Sequence, residues 1–246
     1  MPAEHPLLTK LARSLQLSED ETAAVRAVAV ELIPYRADQM IARQGDKPSR
    51  SCLVVEGMVC TSKVIDGGKR QIMAFHIQGD GPDLHSLHLK VLDSDIWAIS
   101  DCRVAFMLHK DLRALNRAHP RLGEVLWRTS LVDGSIYREW MVNVGQRDAA
   151  SRMAHLFCET LLRAEAAGLG EGGTCPFPVT QSDLSEATGL SQVHVNRTLQ
   201  SLRGQNLLSI GKGSLTIHNW DRLAAMADFR ADYLHLEPAR EPARAA

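Results

Sequence analysis

The chain has 246 residues, of which 45% are hydrophobic and 23% charged, and its formal net charge at pH 7 is -1. This is the composition of an ordinary soluble globular protein, with room for one large domain or, as we expect here, two smaller ones. Because the net charge is close to zero, a globally basic surface is excluded. Any affinity for nucleic acid must therefore come from a local patch and from helix termini.

The N-terminal pattern predicts neither an export signal nor a membrane anchor. Residues 1–6 have no basic region leading into an apolar core, and the apolar run over residues 27–33 is interrupted by Glu31 and followed by Pro34. The five cysteines are an odd number without C-x-x-C spacing, which favours reduced thiols in the core over a disulfide, zinc or iron-sulfur site. We therefore expect a cytoplasmic protein with no metal and no membrane contact.

The first half of the chain predicts two short helices followed by a β-rich segment. Helical patterns cover residues 7–15 and 19–30, the second with Ser18 as its N-cap. From Arg36 to about Leu108, short β-rich runs alternate with turn signals, which predicts an antiparallel roll or barrel. The clearest hairpin joins residues 59–65 to 71–77 through Asp66-Gly67-Gly68.

A long amphipathic helix is predicted after Pro120. Its apolar residues recur at steps of three and four, in a stripe formed by Leu122, Val125 or Leu126, Thr129, Val132, Ile136 and Trp140. The stripe needs a partner, which could be the chain's own roll or, as we favour, the same helix of a second copy in a parallel dimer. Residues 143–148 interrupt the stripe and are interpreted as a hinge, in which Asp148 caps a further helix towards Gly168.

Residues 179–203 predict a helix, a tight glycine turn and a second helix, which is the arrangement of a DNA-reading module. Thr180 and Ser191 are placed to cap the two helices, and Gly189 can supply the positive φ of the turn. The stripes that bury against each other are Leu184 and Ala187 on the first helix, with Val195, Leu199 and Leu202 on the second. A small helical packing unit without DNA is the simpler alternative.

The face opposite the buried stripe carries groups that recognise base edges. Its members are Gln192, Val193, Asn196, Arg197 and Gln200. Arginine can bond guanine bidentately, an amide can bond adenine, and a valine can contact the methyl group of thymine. The residues expected to position phosphates are Thr180, Gln181, Ser191 and His194.

The segment after the second helix predicts a wing. Residues 207–210 and 215–218 form two short strands around Gly211-Lys212-Gly213-Ser214, with Lys212 placed to meet the DNA backbone, although a plain solvent hairpin is the alternative. From Ala187 to Trp220 there is no acidic residue, which supports binding to a polyanion.

The predicted fold class is α+β, in four parts. A β-roll sensor with N-terminal helices occupies residues 1–120, and a dimerisation helix with its hinge occupies residues 121–145. A winged helix-turn-helix DNA-binding domain then covers residues 146–236, and residues 237–246 form a flexible tail.

With these parts in place, the chain resembles the Crp/Fnr family of bacterial transcription regulators over nearly its whole length. The motifs that carry the resemblance are Gln44-Gly45-Asp46, Val55-Glu56-Gly57, residues 66–72, Gly79-Asp80, residues 180–203 and Gln205-Asn206-Leu207-Leu208. The resemblance implies that the roll senses a signal, that the long helix forms a homodimer, and that the second helix of the motif enters the major groove. It also implies that Arg197 reads a base and that RNA polymerase is a partner.

At two places the sequence departs from motifs of the family, and these departures narrow the range of signals that the roll is expected to sense. Cyclic-nucleotide members hold the ligand phosphate with a Gly-Glu-Leu turn and an Arg-Ser or Arg-Thr pair, where this chain has residues 82–86 and 92–95. The phosphate arginine is missing, and Asp93 and Asp95 would repel an anion, so cyclic AMP is not expected. Iron-sulfur members use cysteines near the N-terminus, whereas no cysteine precedes Cys52.

The post-Gly-Asp turn of the roll is the candidate ligand site, formed by Asp83, Leu84, His85 and Ser86. Carbon-monoxide-sensing relatives bind haem through a histidine in this turn, matched by His85, and through an N-terminal proline, matched by Pro2. Their alternative cysteine ligand is matched by Asp83, so we expect no haem and keep a haem- or other small-ligand-gated regulator as the alternative.

Catalysis is not expected. The chain contains no G-x-S-x-G, Walker, H-E-x-x-H or nucleotide-binding motif. A further alternative is a protein in which the roll serves as an interaction scaffold and the helix-turn-helix serves only for packing. The sequence gives neither the operator, nor the direction of regulation, nor the identity of an effector.

Overall fold

The computed structural model describes residues 5–236 and, at Arg13, the backbone alone. Two short helices open the described chain, α1 (Pro6–Ser14) and α2 (Glu19–Arg26). A capping box between Ser18 and Glu21 begins α2, which confirms the predicted N-cap.

The predicted helix over residues 19–30 is wrong in its last turn, because α2 ends at Arg26 and Val30 begins strand β1 (Val30–Tyr35). This strand pairs along its whole length with the later strand β7 (Cys102–Leu108). Long-range pairing therefore overrides the local helical pattern.

The β-rich segment forms an antiparallel roll of two sheets, as predicted. The sheets have the strand orders β1-β7-β3 and β2-β6-β4-β5. The remaining strands are β2 (Met40–Ala42), β3 (Arg50–Glu56), β4 (Val59–Val64), β5 (Arg70–His76) and β6 (Asp95–Ala98). The predicted hairpin is the β4–β5 pair, and a short 3₁₀ turn (Leu84–Leu87) follows it.

Three helices connect the roll to the C-terminal domain: α3 (His109–Ala118), α4 (Pro120–Gln146) and α5 (Ala149–Ala166). The predicted hinge over residues 143–148 is too long, because α4 continues through Gln146. The break lies at Arg147 and Asp148, where the Asp148 carboxylate caps α5 by accepting a hydrogen bond from the amide of Ser151. The predicted cap is confirmed.

The C-terminal domain contains the predicted helix-turn-helix, α6 (Gln181–Thr188) and α7 (Gln192–Gly204), and the predicted wing hairpin, β9 (Leu208–Gly211) and β10 (Ser214–Ile217). Sequence analysis missed strand β8 (Thr174–Pro176), which extends the wing to three strands, and helix α8 (Trp220–Ala227). A short 3₁₀ turn (Ala231–Leu234) follows α8. The predicted tail over residues 237–246 lies outside the described residues.

The predicted apolar stripe of α4 packs within its own chain. Leu122, Leu126, Ile136 and Trp140 are at most 5% exposed, so the favoured interpretation of this stripe as a dimer face is wrong and the alternative is observed. Periodicity identifies a buried face of a helix but not what covers it. The N-terminal half of α4 packs with α1, α2 and α3, and its C-terminal half joins a core that runs from the β4–β5 hairpin through α5 into the helix-turn-helix.

All five cysteines are buried and free, as predicted for small core residues. Burial raises the pKa of Cys60 to about 12 and that of Cys175 to about 11, so both remain thiols. Within residues 5–236, no helix combines the length and apolar character needed to cross a membrane.

Candidate nucleic-acid interface and sensor cavity

The two helices of the DNA-reading module are joined as the sequence predicts. The Thr180 hydroxyl accepts a hydrogen bond from the Asp183 amide at the start of α6, and the Ser191 hydroxyl accepts one from the His194 amide at the start of α7. Gly189 ends α6 with a φ of 68°, a left-handed conformation that suits glycine. The geometry of the turn is therefore dictated locally.

Both predicted stripes of the module are buried. The five side chains are at most 2% exposed: Leu184, Ala187, Val195, Leu199 and Leu202. Their burial fixes the rotation of α7 about its axis, which leaves the opposite face in solvent.

The predicted base-reading residues share this free face. Gln192, Val193, Asn196, Arg197 and Gln200 are all exposed, whereas His194 is half-buried. Val193 is 81% exposed. The guanidinium of Arg197 makes no hydrogen bond or ion pair with the residues that the structure describes.

Two of the reading amides contact α6 through long hydrogen bonds. Gln192 Nε2 donates to Ser182 Oγ over 3.3 Å, and Asn196 Nδ2 donates to Gln181 Oε1 over 3.4 Å. All four side chains are exposed, so these bonds can exchange for water or for a base edge at low cost. Ser182, which sequence analysis did not select, thus lies on the same exposed surface at the start of α6.

Thr180 makes the hydrogen bonds of its predicted cap. Its hydroxyl donates to Asp183 Oδ2 over 2.6 Å and accepts from the Asp183 amide, so the group is engaged within its own capping box. Gln181 and Ser191, by contrast, are exposed near the two helix starts. Of these three, Gln181 and Ser191 are better placed for phosphate.

The wing presents Lys212 to solvent at its tip, with a φ of 51° in the turn between β9 and β10. Arg203 Nη2 donates to the Ile210 carbonyl over 3.0 Å and so ties the end of α7 to the wing. Arg197, Arg203 and Lys212 are thus three cations within the segment from Ala187 to Trp220, which contains no acidic residue.

The roll holds the helix-turn-helix directly through the start of β5. Arg70 Nε donates to Glu186 Oε2 over 2.5 Å, and its Nη2 lies 3.3 Å from Asp183 Oδ1. Gln71 Nε2 donates to the Ala187 carbonyl over 3.2 Å, at the end of α6. Arg152 of α5 donates to the neighbouring Thr188 carbonyl over 2.6 Å. Sequence analysis missed this junction, because no local pattern reports contacts between distant segments.

A cavity of about 740 Å³ lies between the roll and α4. Most of its lining is apolar, including Ile72, Met73, Leu89, Tyr137, Trp140, Met141 and Val144. Its charged lining residues are Asp93 and Asp133, and no lysine or arginine belongs to the described lining. Lys63 lies 3.5 Å from Asp93, just outside the cavity.

Of the four predicted ligand-site residues, only His85 lines this cavity. Asp83 is buried and its Oδ1 accepts a hydrogen bond from the Cys52 amide over 2.7 Å, and burial raises its pKa to about 6. Leu84 belongs to the apolar core. Ser86 lies 3.1 Å from His109 Nε2 and 3.3 Å from Ser51 Oγ. These three residues therefore support the roll.

His85 places a buried Nε2 beside the cavity, 3.9 Å from Asp93 and without a hydrogen-bond partner among residues 5–236. Burial lowers the pKa of this imidazole, so it is neutral near pH 7. A neutral histidine could ligate haem iron, whereas the charged side chains of this lining, Asp93 and Asp133, are carboxylates that would repel the haem propionates. Pro2, the other residue matched to a haem ligand, lies outside the described residues.

The outer face of α4 carries a second, exposed apolar pattern. Trp127, Leu131 and Met141 are 63%, 59% and 73% exposed. With Gly134 and Arg138 they follow alternating steps of four and three residues, which is the heptad seam of a two-helix coiled coil. Sequence analysis selected the larger buried stripe instead.

Comparison with known proteins matches both halves of the chain. The family model described as a cyclic nucleotide-binding domain matches residues 32–119, and that of a Crp-like helix-turn-helix domain matches residues 151–226. The transcriptional activator protein FnrL of Cereibacter sphaeroides is 23% identical, over 80% of this chain and 81% of its own length. The nitrogen fixation regulation protein FixK of Bradyrhizobium diazoefficiens is 27% identical, over 71% of this chain and 72% of its own.

The fold is also found among solved structures. The structure of FixK2 from Bradyrhizobium japonicum superposes with a TM-score of 0.71 and 24% identity, covering 87% of this chain and all of that one. This likeness extends over the roll, the long helix and the helix-turn-helix together.

Proposed function

Because the chain belongs to the Crp/Fnr family of transcription regulators, we propose that it binds operator DNA as a homodimer, with α7 in the major groove, and acts on RNA polymerase from that site. A small effector in the roll adjusts this binding. The curated relatives named above are regulators, not enzymes.

One observation carries the DNA-binding proposal: the solvent-facing side of α7 presents an unpaired arginine, three amides and an exposed valine. This set includes donors and acceptors for base edges and an apolar group for a thymine methyl. Val193, at 81% exposure, is free to contact such a methyl group.

The roles follow from position. Gln192, Val193, Asn196, Arg197 and Gln200 face the bases, with Arg197 on a guanine. Gln181, Ser191 and His194 position phosphates near the helix starts, Thr180 supports them from its capping box, and Lys212 meets the backbone from the wing.

The homodimer forms through the outer seam of α4. Trp127, Leu131 and Met141 pack against the same residues of a second copy, and Gly134 allows the two helices to approach closely. A parallel pair places the two recognition helices on half-sites about 34–36 Å apart, one turn of DNA.

The effector occupies the cavity between the roll and α4. Its volume and its mostly apolar lining are typical of small-ligand sites. Neither a cyclic nucleotide nor haem suits its two carboxylates, since both ligands are anionic.

The first test is selection of bound sequences from a pool of random duplexes, with the purified full chain at several salt concentrations. We expect a palindrome whose half-sites are one turn apart. Weak binding that depends steeply on salt and ignores sequence in the presence of candidate effectors would contradict the proposal and favour the scaffold alternative.

A further inference from the structure

The cavity between the roll and α4 contains a carboxylate that no neighbour neutralises by direct contact. Asp133 makes no hydrogen bond or ion pair to any residue in the described part of the chain. It lies on the wall between the 740 Å³ cavity and a smaller cavity lined by Lys10, Asp80 and Arg163. An isolated charge in such surroundings is costly unless a proton or a cation joins it.

The nearby cations are committed elsewhere. Arg163 Nη2 pairs with Asp80 over 2.7 Å and its Nη1 with Glu159 over 3.3 Å. Lys10 Nζ donates to the Gly79 carbonyl over 2.6 Å. On the other side of the cavity, Asp93 has Lys63 at 3.5 Å. Of the two lining carboxylates, Asp133 is therefore the one that lacks a partner.

The aromatic lining also suits a cation. Tyr137 and Trp140 lie on the same helix as Asp133 and line the same cavity. Aromatic faces attract organic ammonium groups, and a carboxylate beside them adds direct charge pairing. An anion would meet two carboxylates and no lysine or arginine within the described lining.

We propose that the effector of this cavity is a largely apolar molecule with one cationic nitrogen, which pairs with Asp133. The proposal rests on the proposed function, because it names the class of ligand for the effector cavity. The apolar part lies against Ile72, Met73 and Leu89, and the charged nitrogen lies between Asp133 and the two aromatic rings.

The protonation of Asp133 supplies an independent readout. Burial, reinforced by the neighbouring Asp80 carboxylate, raises the pKa of Asp133 to about 7, against the opposing effect of Arg163 and Lys10. The other titratable groups near it are Tyr137, Asp93 and His85. A cation binds the ionised carboxylate, so its affinity rises as pH increases through about 7 and levels off above it.

The test uses two probes of equal length and opposite charge, 4-phenylbutylamine and 4-phenylbutanoate, titrated calorimetrically into the full-length protein at pH 8. We expect the amine to bind at least about tenfold more tightly than the carboxylate, the size of one charge-assisted hydrogen bond. Amine binding should weaken between pH 8 and pH 6, while the amine itself stays charged.

Two substitutions localise the effect. Asp133→Asn should remove the preference for the amine, and Asp101→Asn, at an exposed carboxylate that pairs with Arg36 and does not line the cavity, should preserve it. Equal binding of both probes, or an amine preference that survives Asp133→Asn and does not change with pH, would overturn the proposal. The wild-type pH series remains decisive if Asp133→Asn does not fold. If an operator is recovered but the amine does not bind, the ligand class is wrong and the regulatory function stands.

Discussion

Arg197 and Lys212 are both exposed cations, but their positions give them different parts in DNA binding. Arg197 projects from the base-facing side of α7, and Lys212 from the tip of the wing. We expect Arg197→Ala to cost about 1–3 kcal/mol and to relax preference at one symmetric pair of operator positions. We expect Lys212→Ala to weaken binding to all sequences alike and to reduce the salt slope by about one.

Both effects are measured by binding isotherms on the selected operator and on single-base variants, at several salt concentrations. Gln205→Ala, at an exposed residue after α7, is the control and should change neither quantity. If Arg197→Ala and Lys212→Ala weaken every sequence equally, the assignment of Arg197 to a base is wrong.

His76 gives the fold a dependence on pH. Burial lowers its pKa from 6.5 to about 4, and its Nδ1 has no hydrogen-bond partner among the described residues. Between these two values the unfolded chain binds a proton that native His76 does not, so the contribution of His76 to stability falls as pH falls. His155, whose pKa is lowered to about 3, acts in the same direction, and Asp133, whose pKa is raised to about 7, acts in the opposite one. The loss through this window is about 3 kcal/mol.

Urea unfolding of the wild type and of His76→Gln at pH 7 and pH 5 isolates this contribution, of which about 2 kcal/mol is lost over that interval. His76→Gln keeps a nitrogen near Thr61 Oγ1, which the imidazole contacts at 3.2 Å, and its change in stability with pH should differ from that of the wild type by this amount. The stability of His218→Gln, at an exposed histidine, should change with pH as the wild type's does. A wild-type slope in His76→Gln would place the titrating group elsewhere.

Residue roles set by neighbours in sequence could be predicted. The caps Ser18, Asp148 and Ser191 each act on an amide three residues ahead, so the sequence already contains both partners. Asp83 and Ser86 could not be assigned in this way. Their partners, Cys52 and His109, are 31 and 23 residues away and are brought close only by the folded roll.

At the scale of elements, the outer seam of α4 should control the oligomeric state. Leu131 is 59% exposed at the middle of the seam. We expect Leu131→Asp to give a folded monomer, because two copies would place like charges at one coiled-coil position. The monomer should also lose the tight binding that depends on two half-sites.

Light scattering after size exclusion measures this change, and circular dichroism checks that the variant is folded. The matched control is Leu32→Asp, which places the same charge at a 40% exposed leucine of β1, away from the seam. A dimeric Leu131→Asp would show that the dimer, if it forms, uses another face.

Elements that are specified by nearby residues could be predicted from the sequence, whereas elements that depend on pairing with distant segments could not. The β4–β5 hairpin is specified by alternating strands around Asp66-Gly67-Gly68, and the sequence predicted it correctly. Strand β8 has only three residues and exists because it pairs with β10, about 40 residues later, so no local signal marks it. For α4 the period was visible, but two apolar faces competed and the sequence did not say which one the chain covers itself.

At the scale of the whole molecule, the effector cavity and the DNA-reading helices share a wall. Gln71 lines the cavity and donates to the Ala187 carbonyl, and Val144 lines the cavity and lies 3.7 Å from the position of a Cβ at Gly189. Occupancy of the cavity can therefore alter the seating of α6 only if the ligand favours one arrangement of these contacts over another. Arg70, one residue before Gln71, anchors the same junction by charge.

We expect Arg70→Met to loosen this junction while leaving the roll folded. The substitution keeps an unbranched chain but leaves Asp183 and Glu186 without their shared cation, and Asp183 is 10% exposed. A loss of about 1–2 kcal/mol at the junction corresponds to roughly five- to thirty-fold faster local opening. Hydrogen exchange should therefore quicken by that factor in α6 and remain unchanged in the sheet of β1, β3 and β7.

The matched control is Arg36→Met, which removes an ion pair to Asp101 within the roll, where both side chains are mostly exposed. Such a pair contributes little, so exchange in α6 should match that of the wild type. Unchanged exchange in α6 of Arg70→Met would mean that the shared apolar core alone seats the DNA-reading unit. In that case a ligand would have to act through α4 and α5, because the hairpin would carry no coupling of its own.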